Sequence, residues 1–158
     1  MAGVVSDVAL TVDDPESPDA LWCRARYFEE LAARFDGGFD PGEGGAGSDR
    51  EMAPPAGLFL VARRDGLPVG CLGLKLHPGD VAEIKRMWVS PTARGLGLAR
   101  RMLLAMQDHA RSLGATRLRL DTNASLKEAQ ALYRQEGFVE VPRFNDNPYA
   151  HHWFEKAL

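Results

Sequence analysis

Residues 91–101 read PTARGLGLARR, with two glycines and an alanine at alternate positions among arginines. The run before it, VAEIKRMWV, has the pattern of a strand ending at Val89, and a helix is expected to begin near Gly95. The first amides of a helix have no partners inside it. With the positive end of the helix dipole they form a ready site for an anion. Glycine lets a phosphate approach the backbone closely, and Arg94, Arg100 and Arg101 add positive charge. A nucleotide P-loop would need a Gly-Lys-Ser/Thr ending, and a dinucleotide fingerprint a third glycine inside an early βαβ unit; the segment has neither. Two readings stay open on these residues alone: a cradle for a phosphate-bearing ligand, or a turn that packs a helix against a sheet.

Other side chains invite chemical roles. Glu83 lies six positions before Val89 on the same strand-like run, so a period of two puts both side chains on one face. The plainer alternative is a solvent-facing glutamate paired with Lys85 or Arg86. The tail FNDNPYAHHWFEKAL gathers Asn145, Asn147, Tyr149, His151, His152 and Trp153, a polar and aromatic set suited to shaping a pocket. On a strand His151 and His152 would point to opposite faces and could not share a metal ion, and no metal is expected. Cys23 and Cys71 have no CxxC spacing and Cys71 no histidine nearby in sequence, so both read as buried apolar thiols rather than nucleophiles or a disulfide framework.

These residues need a scaffold. The chain has 158 residues, 45% hydrophobic and 26% charged, which suits a single soluble domain spanning 1–158. A net charge of −3 and a sequence pI near 5.8 argue against a dedicated nucleic-acid binder. The N-terminus lacks a basic region ahead of an apolar one, and no apolar run approaches membrane-spanning length. A cytoplasmic location, with no membrane partner, is the expectation. VVSDVALTV (4–12) reads as a first strand, and Leu21, Ala25, Phe28, Ala32 and Phe35 mark an amphipathic helix over 18–35. Glycine, proline and acids then break all periodicity over 36–56, a length typical of a lid or a flexible insertion.

Three strand-like runs, GLFLVARR, PVGCLGLKLH and VAEIKRMWV, follow with tight breaks, the pattern of an antiparallel meander. After the glycine segment, Ala99, Met102, Leu103, Met106, Ala110 and Leu113 line one helical face, with Gly114 as the stop. ATRLRLDT is a strand. SLKEAQALYRQEG is a helix with a Ser125/Glu128 capping box and Gly137 at its end, and FVEVPRF and PYAHHWFEKAL read as closing strands. The fold class is α/β, with a mainly antiparallel sheet and one strand–helix–strand crossover.

Two motifs in order carry a resemblance. Arg94, Gly97 and Ala99 match Gln/Arg-x-x-Gly-x-Gly/Ala, and Ala129, Leu132, Tyr133, Gly137 and Phe138 match A-x-x-LY-x-x-x-GF. Over residues 57–142 the chain resembles the GNAT superfamily of acyl-CoA-dependent N-acyltransferases. The resemblance implies the GNAT fold: a mixed, mostly antiparallel sheet of six to seven strands with about four helices. It implies acetyl-CoA as co-substrate, with its pyrophosphate on the segment Arg94, Gly95, Leu96, Gly97, Leu98, Ala99 and Arg100. Its pantetheine arm would lie along Met87, Trp88 and Val89, where the Val89 amide would be the oxyanion donor. Glu83 matches a glutamate that serves as base in some members, and Tyr133 the usual proton donor to the leaving thiolate. Many members carry asparagine where this chain has Leu126; Asn123 lies nearby as a substitute coenzyme contact.

The implied reaction is transfer of an acetyl group to a primary amine by direct attack in a ternary complex. A lysine-type amine has a pKa of about 10.4, so some group or water chain must take its proton. Trp88, Tyr149 and His151 are the candidates to line an acceptor pocket for a small-molecule or peptide amine. A second reading keeps the fold without catalysis, as a CoA-sensing or partner-binding module. Members of the superfamily frequently dimerise, so a homodimer is compatible with the resemblance.

Overall fold

The computed structural model describes residues 7–41 and 46–158. Seven strands form one sheet in the order β1-β2-β3-β4-β5-β7-β6. They are β1 (Val8–Val12), β2 (Gly57–Arg64), β3 (Leu67–His77), β4 (Val81–Val89), β5 (Arg117–Thr122), β6 (Val139–Val141) and β7 (His152–Ala157). Every neighbouring pair is antiparallel except β4 and β5. The part of the expected first strand at 4–6 lies outside the described residues. Among the described residues there are three α-helices, α1 (Pro18–Arg34), α2 (Leu98–Ser112) and α3 (Lys127–Gln135), with 3-10 turns at Ala46–Glu51 and Pro91–Ala93. The fourth expected helix is not among them.

Helix α1 starts where the sequence says it should. Ser17 accepts a hydrogen bond from the Ala20 amide at 3.1 Å, and Pro18 occupies the first turn, where a missing N–H costs nothing. Its inner residues Ala20 and Cys23 pack with Phe59, Val61, Cys71 and Trp88 on one sheet face. Helices α2 and α3 cover the other face. There Met102, Leu103 and Met106 meet Leu60, Leu72, Leu74, Leu118 and Leu120, all essentially buried. Each such side chain contributes about 1.5–3 kcal/mol over an exposed position. Leu113 is turned outward instead, and Gly114, at φ 92°, ends the helix as expected.

Two local readings are corrected. The Ser125/Glu128 capping box does not form: α3 begins one residue later, with Leu126 at the cap position and no side-chain cap. Glu128 instead pairs with Arg34 at 2.9 Å, a partner on α1 that outcompetes the local backbone bond. The tail becomes a strand only from His152, so His151 sits ahead of it, its amide bonded to Thr122 O and its Nδ1 accepting from the Ala124 amide at 3.0 Å.

Candidate active site

The site begins with a bulge in β4. Gly73 faces Lys85 while Cys71 faces Trp88, so two residues of β3 run against three of β4. The extra residue is Arg86, held at φ 59°, a conformation that costs a side-chain-bearing residue free energy. Its guanidinium is fixed by buried Asp49 at 2.8 and 3.2 Å, and Asp49 also takes Arg24 at 2.8 Å. One extra residue reverses the side-chain alternation. Ala82 and Ile84 point to the α2 face, and so do Met87 and Val89. Glu83 and Lys85 point to the α1 face. Glu83 and Val89 are therefore on opposite faces, against the period-two expectation, because that expectation assumed an unbroken pleat.

The same bulge lies where β4 leaves β5. The parallel pairing consists of Val81↔Arg117, Ala82↔Leu118 and Glu83↔Arg119, and stops there. Beyond it the two strands part and open a cleft that passes from one face of the sheet to the other. Two cavities occupy it, sharing Tyr27, Leu31, Met87, Leu126 and Ala129 as common walls.

The larger, about 580 Å³, is bounded by Met87, Trp88 and Val89 along β4, by Arg94, Gly95, Gly97, Leu98, Ala99 and Arg100 at the start of α2, and by Glu30, Arg34 and Glu128 at its rim. Helix α2 starts at Leu98 rather than near Gly95, after the 3-10 turn at Pro91–Ala93. Gly97 caps it at φ 78° with no side-chain bond to its first amides. A Cβ at Gly95 or Gly97 would meet nothing within 4 Å, so the backbone there is open to a ligand. These free amides and the open glycines fit the pyrophosphate that the sequence segment suggested. Leu96 is not among the lining residues. Arg94 donates to Val89 O at 2.9 Å and also bonds Glu30. Arg100 is held by Gln135 and Glu136 at the far end of α3. Trp88 turns its ring toward α1, stacked edge-on against Trp22 at 5.8 Å with its indole N–H 3.3 Å from Glu30. It lines this cavity and not the other.

The smaller cavity, about 290 Å³, gathers charged and polar side chains from β4, β5 and the tail, among them Glu83, Lys85, Asp121, Asn145, Asn147 and Tyr149. Glu83 is buried and joined to His77 Nε2 at 2.8 Å, rather than to Lys85 or Arg86. Tyr149 lines this cavity, and its ring packs on Phe39 at 4.7 Å while its hydroxyl accepts from the Asp40 amide at 2.8 Å. From the expected lid segment Phe39 thus contributes to the wall, whereas 42–45 lie outside the described residues. Asn123 faces the smaller cavity, but its Nδ2 donates to Tyr149 O at 2.7 Å and its Oδ1 accepts from the Ser125 amide, so it braces the turn beside it. His151 is exposed and lines neither cavity.

Tyr133 stands at the junction. It is buried, lines the smaller cavity, and its hydroxyl lies 4.0 Å from the sulfur of Met87, one of the residues common to both cavities. Burial, reinforced by nearby Tyr27 and Asp121, pushes its phenol well above the ordinary tyrosine range. Tyr27 beside it is raised to about 12, again by burial first. Asp121 was not singled out from the sequence. Burial raises its carboxyl and Glu83 adds to the rise, while bonds from Asn145 (2.6 Å) and Asn147 (3.1 Å) act against it. The signal was available: Leu118 and Leu120 face the α2 core, so alternation sends Asp121 to the side of Glu83.

The two cysteines, distant in sequence, are brought together. Both are fully buried, with Cys23 Sγ on Gly70 O and Cys71 Sγ on Arg86 O. Among the described residues no group of three His, Cys, Asp or Glu side chains is arranged to hold a metal ion, and no helix is long and apolar enough to cross a membrane.

The sheet thus splits between β4 and β5, its only parallel neighbours among the described residues, with an open helix start on one side and a pocket of titratable side chains on the other. Solved structures share the fold: an acetyltransferase of the GNAT family from Staphylococcus aureus superposes with a TM-score of 0.80 at 16% identity, covering 94% of this chain and 99% of that one. The N-acetylglutamate synthase of Neisseria gonorrhoeae, solved with coenzyme A and N-acetyl-glutamate, matches with a TM-score of 0.69 at 20% identity, covering 95% of this chain and 35% of that one. Residues 21–138 match the model of the acetyltransferase (GNAT) family. An IAA acetyltransferase of Azospirillum brasilense is 40% identical over 138 residues, 85% of this chain and 86% of that protein. The chain belongs to the GNAT acetyltransferase family.

Proposed function

We propose that this chain, acting as a single catalytic domain over residues 1–158, transfers the acetyl group of acetyl-CoA to a primary amine by direct attack in a ternary complex. The observation that carries the reading is the placement of Tyr133 where the two cavities meet. The donor would enter along Met87–Val89, its pyrophosphate on the amides opened by Gly95 and Gly97, with Arg94 and Arg100 nearby. The amine would approach from the side of Glu83 and Asp121. Attack forms a C–N bond, and the Val89 amide is the proposed donor to the oxyanion. When the C–S bond breaks, the thiolate takes the Tyr133 proton. The ammonium proton passes to Glu83, directly or through water.

Burial keeps the Tyr133 phenol protonated through neutral pH, the state a proton donor needs. Tyr149 and the Phe39 segment would bound the acceptor, and Trp88 the donor. The deciding experiment incubates the protein with acetyl-CoA and a panel of primary amines, reading free CoA with a thiol reagent. Release that depends on the amine, with a product heavier by one acetyl group, supports the reading. Tight CoA binding with no release on any amine would overturn it.

A further inference from the structure

The acceptor cavity contains two halves of an ion pair that do not meet. Glu83↔Arg119 is the last pairing of β4 with β5. The next positions on the same face, two residues on, are Lys85 and Asp121. There the strands part, and no ion pair within 4.0 Å joins the two side chains, although the Lys85 ammonium draws the Asp121 carboxyl down against the rise from burial. Asp121 cannot swing across the gap, because Asn145 and Asn147 hold both of its oxygens. Lys85 has no hydrogen bond or ion pair among the described residues. Arg86 is paired with Asp49, and Glu83 shares a hydrogen bond with His77 Nε2.

Resting on the acetyl-transfer reading above, we propose that the acceptor is a small zwitterion, an amino acid or a close analogue, that completes this pair. Its anionic group binds the Lys85 ammonium. Its amine lies against the Asp121 carboxylate, close to Tyr133. Desolvation draws the Lys85 pKa downward while the Glu83 carboxylate acts against it, and an anion bound at the ammonium would act in the same sense as Glu83. Asp121 and Tyr133 line the same cavity, and the Asp121 carboxylate raises the Tyr133 phenol, so the amine end of the gap lies on the side of the proton donor. A diamine would satisfy Glu83 and Asp121 but would set a second cation against Lys85. An uncharged amine would leave the half-buried Lys85 without an anionic partner. The cavity volume of about 290 Å³ lies at the lower edge of ligand sites, which limits the acceptor to a small molecule.

The test compares acceptors that differ only in the anion. Alanine and alaninamide, β-alanine and its amide, taurine, 2-aminoethylphosphonate and putrescine are assayed with saturating acetyl-CoA. The expected result is a kcat/KM at least about tenfold higher for an acid than for its amide, the size of one charged hydrogen bond. Lys85→Gln should erase that ratio through the KM of the acid, Lys85→Arg should keep most of it, and unchanged CoA affinity confirms that both variants are folded. Equal or better use of the amides or putrescine overturns the proposal, as does a ratio that survives Lys85→Gln. If no amine is acetylated, the transfer reading fails separately. Titration of the same acids into the CoA-bound protein then decides: binding weakened about tenfold by Lys85→Gln supports the zwitterion site, and no binding overturns it.

Discussion

Replacing Tyr133 by phenylalanine separates what the ring does from what the hydroxyl does. The ring packs between Phe138 and Phe154, at centroid distances of 5.8 and 6.0 Å, and phenylalanine preserves both contacts. Among the described residues the hydroxyl's only hydrogen-bonding partner is the Met87 sulfur at 4.0 Å, a weak acceptor. Its removal should therefore change stability by less than about 1 kcal/mol, a Tm shift within about 4 °C for a domain of this size. Loss of a positioned proton donor costs about 10²- to 10⁴-fold in rate, equivalent to about 3–5 kcal/mol of barrier. Kinetics by CoA release, CoA affinity by calorimetry and Tm by scanning fluorimetry measure all three. Because burial raises the phenol above its usual pKa of about 10, the parent's rate should show no falling limb from Tyr133 between pH 6 and 10. A kcat within twofold of the parent refutes the acid role. A kcat that falls only in step with Tm and CoA affinity assigns the residue to packing.

Gly97→Ala places a Cβ at φ 78° in open space, so the fold should lose about 1–2 kcal/mol from backbone strain alone, while calorimetry should show CoA affinity falling further as the methyl intrudes where the phosphate approaches. Asp49→Ala leaves the Arg86 and Arg24 guanidiniums without their buried carboxylate; a loss of about 3–5 kcal/mol, read by denaturant unfolding, is expected. Lys85→Met should raise Tm at neutral pH by removing a desolvated ammonium. The folded pKa of Lys85 is below its unfolded value, so the unfolded state binds more protons between them and the parent gains stability as pH rises through that window. The Tm gap between variant and parent should accordingly narrow toward pH 10 and above; a gap independent of pH would show that packing, not charge, is responsible.

What the chain determined locally is legible in its residues. Ser17-Pro18 starts α1, Gly114 and Gly137 stop α2 and α3 at φ 92° and 89°, and the alternation of Leu118 and Leu120 lays down β5. Arg94, Gly97 and Ala99 with Tyr133 announced the family, since glycine placement and helix starts are decided within a few residues. The capping box failed because its groups found other partners: Asn123 Oδ1 accepts from the Ser125 amide, and Arg34, far away in sequence, takes the Glu128 carboxylate. The faces of β4 could not be read either. Nothing in VAEIKRMWV announces that Arg86 bulges, because the conformation is held by Asp49, a residue of the loop that lacks any periodic pattern. That single bulge turned Glu83 away from Val89, ended the pairing with β5 and brought Lys85 and Asp121 into view of each other across the cleft. Backbone propensity and alternation act over neighbouring residues, so the sequence by itself determined the elements and the glycine-bearing loop ahead of α2. The smaller cavity was decided by tertiary contacts, in which a buried ion pair between distant segments sets the strand geometry.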